Sequence, residues 1–324
     1  MLIAVLGFPL LSHGVALADI GDIPNPVIAT VEFETDKCKT PDIIHVAGDV
    51  CAIAYEGESG HVTTVEIEAD GGITEKDNVE FETGKCKEPD IIHVSGDVYA
   101  IAYKGDGDSG YLQTVEVSTD GNITEKDNVE FETGKCKELD IIHVSGGICA
   151  IAYSGDKDDG YLQTVEIEAD GDITEKDNVE FDEVKGKEPD IIHVAGDVYA
   201  IAYKGDGDSG CLQTVEITTA GAITEIDNAT FASKCKKPNI IYIAGNVYAI
   251  AYEGESGHVT TVEITTTVEI TTTVEITTTL ARVVGGEVYP INKAAVLMPW
   301  LGLALILILA VGGGTLALRK RRTQ

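Results

Sequence analysis

Between Lys85 and Glu125 the chain reads KCKEPDIIHVSGDVYAIAYKGDGDSGYLQTVEVSTDGNITE, with apolar residues in short runs or strict alternation and no helical period. The pattern predicts strands at Asp90–Val94 (DIIHV), Val98–Tyr103 (VYAIAY) and Tyr111–Val117 (YLQTVEV), and a fourth at Asn128–Glu132 (NVEFE). Ser95-Gly96-Asp97, the Gly- and Asp-rich stretch from Gly105 to Gly110, and Asp120-Gly121 punctuate them as turns. In the second strand Val98, Ala100 and Ala102 share one face, and Tyr99, Ile101 and Tyr103 share the other. Both faces are apolar, as a strand covered on two sides requires. In the fourth, Val129 and Phe131 oppose Glu130 and Glu132, the pattern of a half-exposed strand.

The unit recurs. Ile-Ala-Tyr begins at Ile53, Ile101, Ile151, Ile201 and Ile250, so the spacings are 48, 50, 50 and 49 residues. Repeats of this length imply one supersecondary unit stacked on copies of itself. Burial that falls from early to late strands fits a four-stranded blade with its first strands near an axis, and hence an all-β, five-bladed β-propeller over residues 27–264. Val27–Glu34 (VIATVEFE) carries the strand-four pattern ahead of any strand one, while the last copy, Pro238 to Ile264, stops after strand three. The N-terminal strand is therefore expected to complete the last blade and leave no long open edge. A solenoid or an incomplete larger ring is the rival arrangement.

The flanks have different compositions. Residues 1–18, apolar and ending Ala16-Leu17-Ala18, fit a secretory signal peptide without a basic start. Residues 265–293 open with reiterated TTTVEI and are expected to form a Thr-rich stalk or linker, open to O-linked sugar; an added edge strand is the alternative. Residues 294–318 contain no charge and are long enough for a transmembrane helix across a hydrocarbon core of about 30 Å. The basic tail, residues 319–324 with Arg319-Lys320-Arg321-Arg322, puts that end in the cytoplasm and the repeats outside the cell membrane. The sequence Val284 to Lys293, the apolar span and the basic tail together resemble the C-terminal anchoring tails of prokaryotic surface proteins. There is no LPxTG sequence, so transfer to a cell wall is not implied.

Charge narrows the partners. The 324 residues carry 55 acidic and 23 basic side chains, a formal net charge of −32, which excludes a nucleic-acid partner because phosphate binding needs clustered Lys and Arg. A surface this acidic attracts cations. The seven cysteines are not spaced as a disulfide framework or a metal site; Cys38, Cys86, Cys136 and Cys235 share one repeat position, occupied by Gly186 in the fourth copy. Asn122-Ile123-Thr124 and Asn228-Ala229-Thr230 are N-glycosylation sequons.

Two sets of residues are candidates for chemistry. Asp42, His45, Asp90, His93, Asp140, His143, Asp190 and His193 recur at equivalent positions of strand one, where a central ring of Asp and His could take a polar ligand or metal. Packing of each His between blades, bonded to Asp or backbone, explains the repetition as well. Asp106, Asp108, Asp156, Asp158, Asp206 and Asp208 lie at alternate positions of Gly-rich loops that resemble part of a calcium site; Gly and Asp also serve any tight hairpin. Near-identical copies should give near-identical environments, whereas acid–base catalysis needs carboxyls of different pKa. The expectation is therefore no enzyme: a membrane-anchored extracellular repeat protein acting in binding, adhesion or cell-envelope structure, with a glycan or protein ligand. In architecture it is similar to lectin-like five-bladed propellers, although no sugar-binding motif carries over. A carbohydrate-active enzyme with central carboxylates, and a structural surface repeat without ligand, are the alternatives.

Overall fold

The computed structural model describes residues 27–265, so the expectations for residues 1–18, the greater part of 265–293, and 294–324 lie outside the described residues. Five antiparallel sheets follow one another along the chain. The first contains β1 (Lys39–Ala47), β2 (Val50–Glu56), β3 (Gly60–Ile67) and β4 (Ile73–Glu82). The second contains β5 (Lys87–Ser95), β6 (Val98–Lys104), β7 (Gly110–Val117) and β8 (Ile123–Glu132). The third comprises β9 (Lys137–Ser145), β10 (Ile148–Ser154), β11 (Gly160–Ile167) and β12 (Ile173–Asp182). The fourth comprises β13 (Lys187–Ala195), β14 (Val198–Lys204), β15 (Gly210–Ile217) and β16 (Ile223–Ala232). The last has three strands, β17 (Lys236–Ala244), β18 (Val247–Glu253) and β19 (Gly257–Glu263). Strand order in each sheet is sequence order, and the first strands β1, β5, β9, β13 and β17 touch in succession. This is a propeller-like arrangement of repeated sheets. Among the described residues no helix is long and apolar enough to cross a membrane.

The two apolar faces of VYAIAY serve opposite neighbours. Tyr99, Ile101 and Tyr103 pack toward the first sheet with Ala52, Ala54 and Phe81. Val98, Ala100 and Ala102 pack toward the third with Cys149, Ile151 and Tyr153. Alanine on one face leaves room for the tyrosine of the next blade, so small-large alternation sets the spacing between sheets. The last residue of Ile-Ala-Tyr is the junction. Phe81 on Tyr103, Phe131 on Tyr153, Phe181 on Tyr203 and Phe231 on Tyr252 meet edge to face, with centroids 5.0–5.5 Å apart. The Tyr103 hydroxyl donates to Glu82 Oε2 of the preceding blade at 2.9 Å and accepts from Asn128 Nδ2 of its own at 2.9 Å. A buried phenol thus finds both partners, and no buried side-chain polar atom among the described residues lacks one.

Three expectations are corrected. The fourth strand begins at Ile123, not Asn128, because Gly121 (φ +85°) turns the chain at once and polar Thr124–Lys126 lie along the solvent side. Strand one begins at Lys87, not Asp90, through a bulge at Glu88, whose φ of +51° makes the register slip between Lys87 and Asp90. Most consequentially, Val27–Glu34 forms no strand and does not complete the last sheet, which has three strands among the described residues. Its Phe33 instead lies on Tyr55 of the first blade, centroids 5.3 Å apart, and β17 makes no contact with β1 comparable to those between successive first strands. Among the described residues the five sheets therefore do not close into a ring.

The aromatic junction yields a stability prediction. Phe131→Ala removes a ring that is 6% exposed and should cost about 3–5 kcal/mol. A urea midpoint within error of the wild type would show that the junction is not where the blades are held.

Candidate functional site

The first strands carry a row of carboxyls placed by the bulge. After the left-handed turn at Glu88, Glu138 or Glu188, the strand resumes with Asp90, Asp140 or Asp190 opposite Ala102, Ala152 or Ala202. Each Asp then accepts a backbone N–H from the next blade. Ile91 N donates to Asp42 Oδ2 (3.0 Å), Ile141 N to Asp90 Oδ2 (3.2 Å), Ile191 N to Asp140 Oδ2 (2.7 Å) and Ile240 N to Asp190 Oδ2 (2.6 Å). Asn239 ends the row, its Nδ2 donating to Asp190 Oδ1 at 3.1 Å. A second row runs beside it: Glu188 N donates to Glu138 Oε2 (3.0 Å) and Lys237 N to Glu188 Oε2 (2.7 Å).

The copies are not equivalent electrostatically. Burial pushes Asp90 up to about 6, with Ile141 N–H opposing and the Asp42 carboxylate adding to the rise. Burial pushes Asp140 up to about 8, with Ile191 N–H opposing and the like charges of Asp90 and Asp190 on its two sides adding to it. Asp190 is raised as well, chiefly by burial, but the Ile240 N–H and the Asn239 amide pull the other way. Position in the row therefore separates carboxyls that the repeat makes chemically alike. The inference that similar copies must have similar pKa values fails because Asp90 and Asp140 share a hydrogen bond that lowers the one and raises the other.

The histidines stand apart from this row. Strand alternation puts His93 with Ile91 on the face toward the preceding blade, opposite Asp90 and Ile92. His45, His93, His143 and His193 are exposed, and each Nε2 is 2.8–2.9 Å from the carbonyl of Gly48, Gly96, Gly146 or Gly196. A carbonyl only accepts, so Nε2–H is the donor and each ring braces its own β-turn. The fifth copy substitutes Tyr242, whose hydroxyl accepts Gly245 N at 3.0 Å. Asp and His thus form two rows on different faces rather than one ligand ring.

The Gly-rich loops are single 3-10 turns at Asp106–Asp108, Asp156–Asp158 and Asp206–Asp208. Their second carboxylates meet lysines. Asp108 pairs with Lys85 and Lys104, Asp158 with Lys137 and Lys187, and Asp208 with Lys185 and Lys204. These lysines hold Asp108 and Asp208 down at about 2. Asp106 accepts Lys85 N at 3.3 Å. No three His, Cys, Asp or Glu side chains among the described residues are grouped so as to hold a metal ion. All seven cysteines are free thiols, and burial raises Cys149 and Cys235 to about 12.

Glu138 and Glu188 were absent from the candidates read in the sequence. The signal was present, since Lys-Glu-X-Asp recurs at Lys87, Lys137 and Lys187, but a glutamate beside a strand start reads as solvated until the bulge is seen to turn it toward the next blade.

No family model matches the chain, and no curated protein sequence does. Solved structures align with it at low identity. A Bifidobacterium bifidum protein assigned as an exo-β-1,3-galactanase is 9% identical, with 70% of this chain and 88% of that one covered and a TM-score of 0.43. A GH43 β-1,3-galactosidase is 10% identical over 70% of this chain and 60% of that one, at a TM-score of 0.41. A Trypanosoma rangeli sialidase in complex with 2,3-difluorosialic acid is 14% identical over 66% of this chain, which spans 43% of the sialidase; the TM-score is 0.43. Those values transfer no residue and no reaction. Against the expectation of a non-catalytic binding, adhesion or envelope protein, the neighbours of stated activity are glycosidases.

The carboxyl row makes a pH-dependent contribution of definite sign. Asp140 takes up its proton near pH 8 when folded and near 3.8 when unfolded, so the folded state binds more protons between those values. Stability is fullest below pH 4 as far as this group is concerned, and falls as pH rises to about 8. Asp140→Asn keeps an acceptor for Ile191 N without a charge. Its melting temperature should exceed the wild type's at pH 8 and the difference should vanish near pH 4; an equal difference at both would refute the shift.

Proposed function

We propose that the chain is a carbohydrate-active enzyme whose acid–base pair comes from the inner carboxyl row, with Asp140 as the proton donor and Asp90 as the ionised partner. The observation that carries this reading is the row Asp90–Asp140–Asp190, in which neighbouring carboxyls of one repeat position are driven to different proton affinities. At neutral pH Asp140 retains its proton and Asp90 has lost its own, so one carboxyl of the pair can donate a proton while its neighbour is ionised. Glu138, bonded to the backbone of the next blade, lies two residues before Asp140 and brings a further carboxylate to the same strand. The acidic surface suits neutral or cationic glycans over anionic ones, since like charge opposes approach.

Release of reducing ends from a glycan panel tests this. Asp140→Asn and Asp90→Asn should each lower kcat at least about 100-fold, the lower end of a general acid–base contribution. Activity should peak between pH 6 and 8, rising as Asp90 ionises and falling as Asp140 does. Turnover in both variants equal to the wild type would sink the assignment, as would an inert wild-type chain across the panel.

Ala294–Leu318 is proposed to anchor the repeats outside the cell membrane, with Arg319–Arg322 inside; the support is a 25-residue stretch without charge followed at once by four basic residues. The full chain should stay in the membrane pellet after an alkaline carbonate wash, and a chain ending at Lys293 should not. Recovery of both in the supernatant would dismiss the anchor.

A further inference from the structure

We propose that copies of this chain join head to tail, Val27–Glu34 of one copy serving as the fourth strand of the last sheet of another. Residues Val31–Glu34 read VEFE, the sequence of Val79–Glu82 and Val129–Glu132 at the ends of β4 and β8. Their contacts match as well. Phe33 meets Tyr55 at 5.3 Å and 68°, as Phe81 meets Tyr103 at 5.3 Å and 65°. Tyr55 OH donates to Glu34 Oε2 at 3.2 Å, as Tyr103 OH does to Glu82 Oε2 at 2.9 Å. The segment therefore sits on the first blade as strand four of a preceding blade would, with no other three strands beside it among the described residues.

The far end shows the complementary deficit. The sheet β17-β18-β19 has no fourth strand among the described residues. Beside it a cavity of about 240 Å³ opens between Asp227–Ala229 of β16 and Glu263–Thr265 at the end of β19. In inner blades that place is filled. Asp77, Asp127 and Asp177 on β4, β8 and β12 each accept the N–H that opens the next fourth strand, from Ile123, Ile173 and Ile223 at 2.8–3.0 Å. Asp227 is the next residue in this series. The face of the last blade that would meet a following blade is also open, with Ile241 52%, Ile243 51% and Val259 71% exposed. Its counterparts Ile192, Val194 and Leu212 pack against the last blade.

The occupant is a second copy, and three features select it. The segment after β19 lacks the turn glycine that precedes every other fourth strand, since Val268 stands where Gly221 stands in the fourth copy. The segment with the strand-four sequence is seated at the opposite end of its own chain, on Tyr55. Docked head to tail, that seating is kept, and Asn239 at the end of the carboxyl row gains Ile43 N–H of the neighbour as its partner, repeating the Asp190–Ile240 bond. Such a contact is heterologous and builds a ring or a filament rather than a two-fold dimer.

Light scattering on the full chain over a dilution series tests the proposal, together with a photoreactive side chain at Val259. The mass should rise with concentration, Val259→Asp and Ile241→Asp should weaken association at least tenfold, and Val184→Asp, which is 63% exposed on another surface, should not. Cross-links from Val259 should reach the 27–34 segment or the first blade of a different chain. A monomer at every concentration, association unchanged by Val259→Asp, or cross-links confined to one chain would overturn the proposal.

Discussion

The structure depends on one buried phenol per blade. The tyrosine that ends Ile-Ala-Tyr fills the space between two sheets, and its ring is fully buried in the inner copies. Its hydroxyl can stay there only because one side chain from each sheet reaches it, a carboxylate from the preceding blade and an amide from its own. Burying the hydroxyl without those bonds would cost about 1–3 kcal/mol. The fold therefore couples apolar packing and polar satisfaction at the same point, and neither sheet can supply both alone. Where a copy loses part of this set the contact is rerouted: with Ala232 in place of the glutamate, Tyr252 bonds Thr260 of its own sheet at 3.2 Å.

A similar exchange governs the carboxyl row. Each Asp joins two blades by accepting a backbone N–H, which favours its charged form, while its enclosure and its neighbours favour the neutral one. Asp90 and Asp140 each have a carboxyl on both sides, but the hydrogen bond between them lowers Asp90 and raises Asp140, so the balance differs from one rung to the next. The carboxyls whose proton affinity is raised are also those that hold the first strands together. That is why amide replacements, which keep the acceptor, separate the two roles.

Much of the fold was legible in the residues. Alternation in VYAIAY showed two apolar faces, and both are buried against different neighbours. Asp120-Gly121 marked the hairpin between the third and fourth strands. The outcome at the chain's ends was not legible, because VEFE reports what strand it can be and not which sheet it will meet. Likewise DIIHV shows an Asp and a His in each copy, but only the bulge at Glu88 and its equivalents reveals that they face different blades. The pKa pattern was hidden for another reason. Local sequence describes a rung, and proton affinity there depends on burial and on which neighbouring carboxyl shares its proton.

The bonds between blades repeat in kind from one junction to the next. Threonine hydroxyls of one blade reach the turn carbonyl of the next, from Thr64 to Gly121, Thr114 to Gly171 and Thr164 to Gly221. Tyrosine hydroxyls reach back, and no junction refers to a blade beyond its immediate neighbour. Local chemistry therefore fixes the orientation of each unit but carries no instruction about their total. Unequal crossing-over between near-identical gene segments could add or remove a unit of about fifty residues and leave every surviving junction intact. Length in such a chain is heritable variation that the fold tolerates without repair.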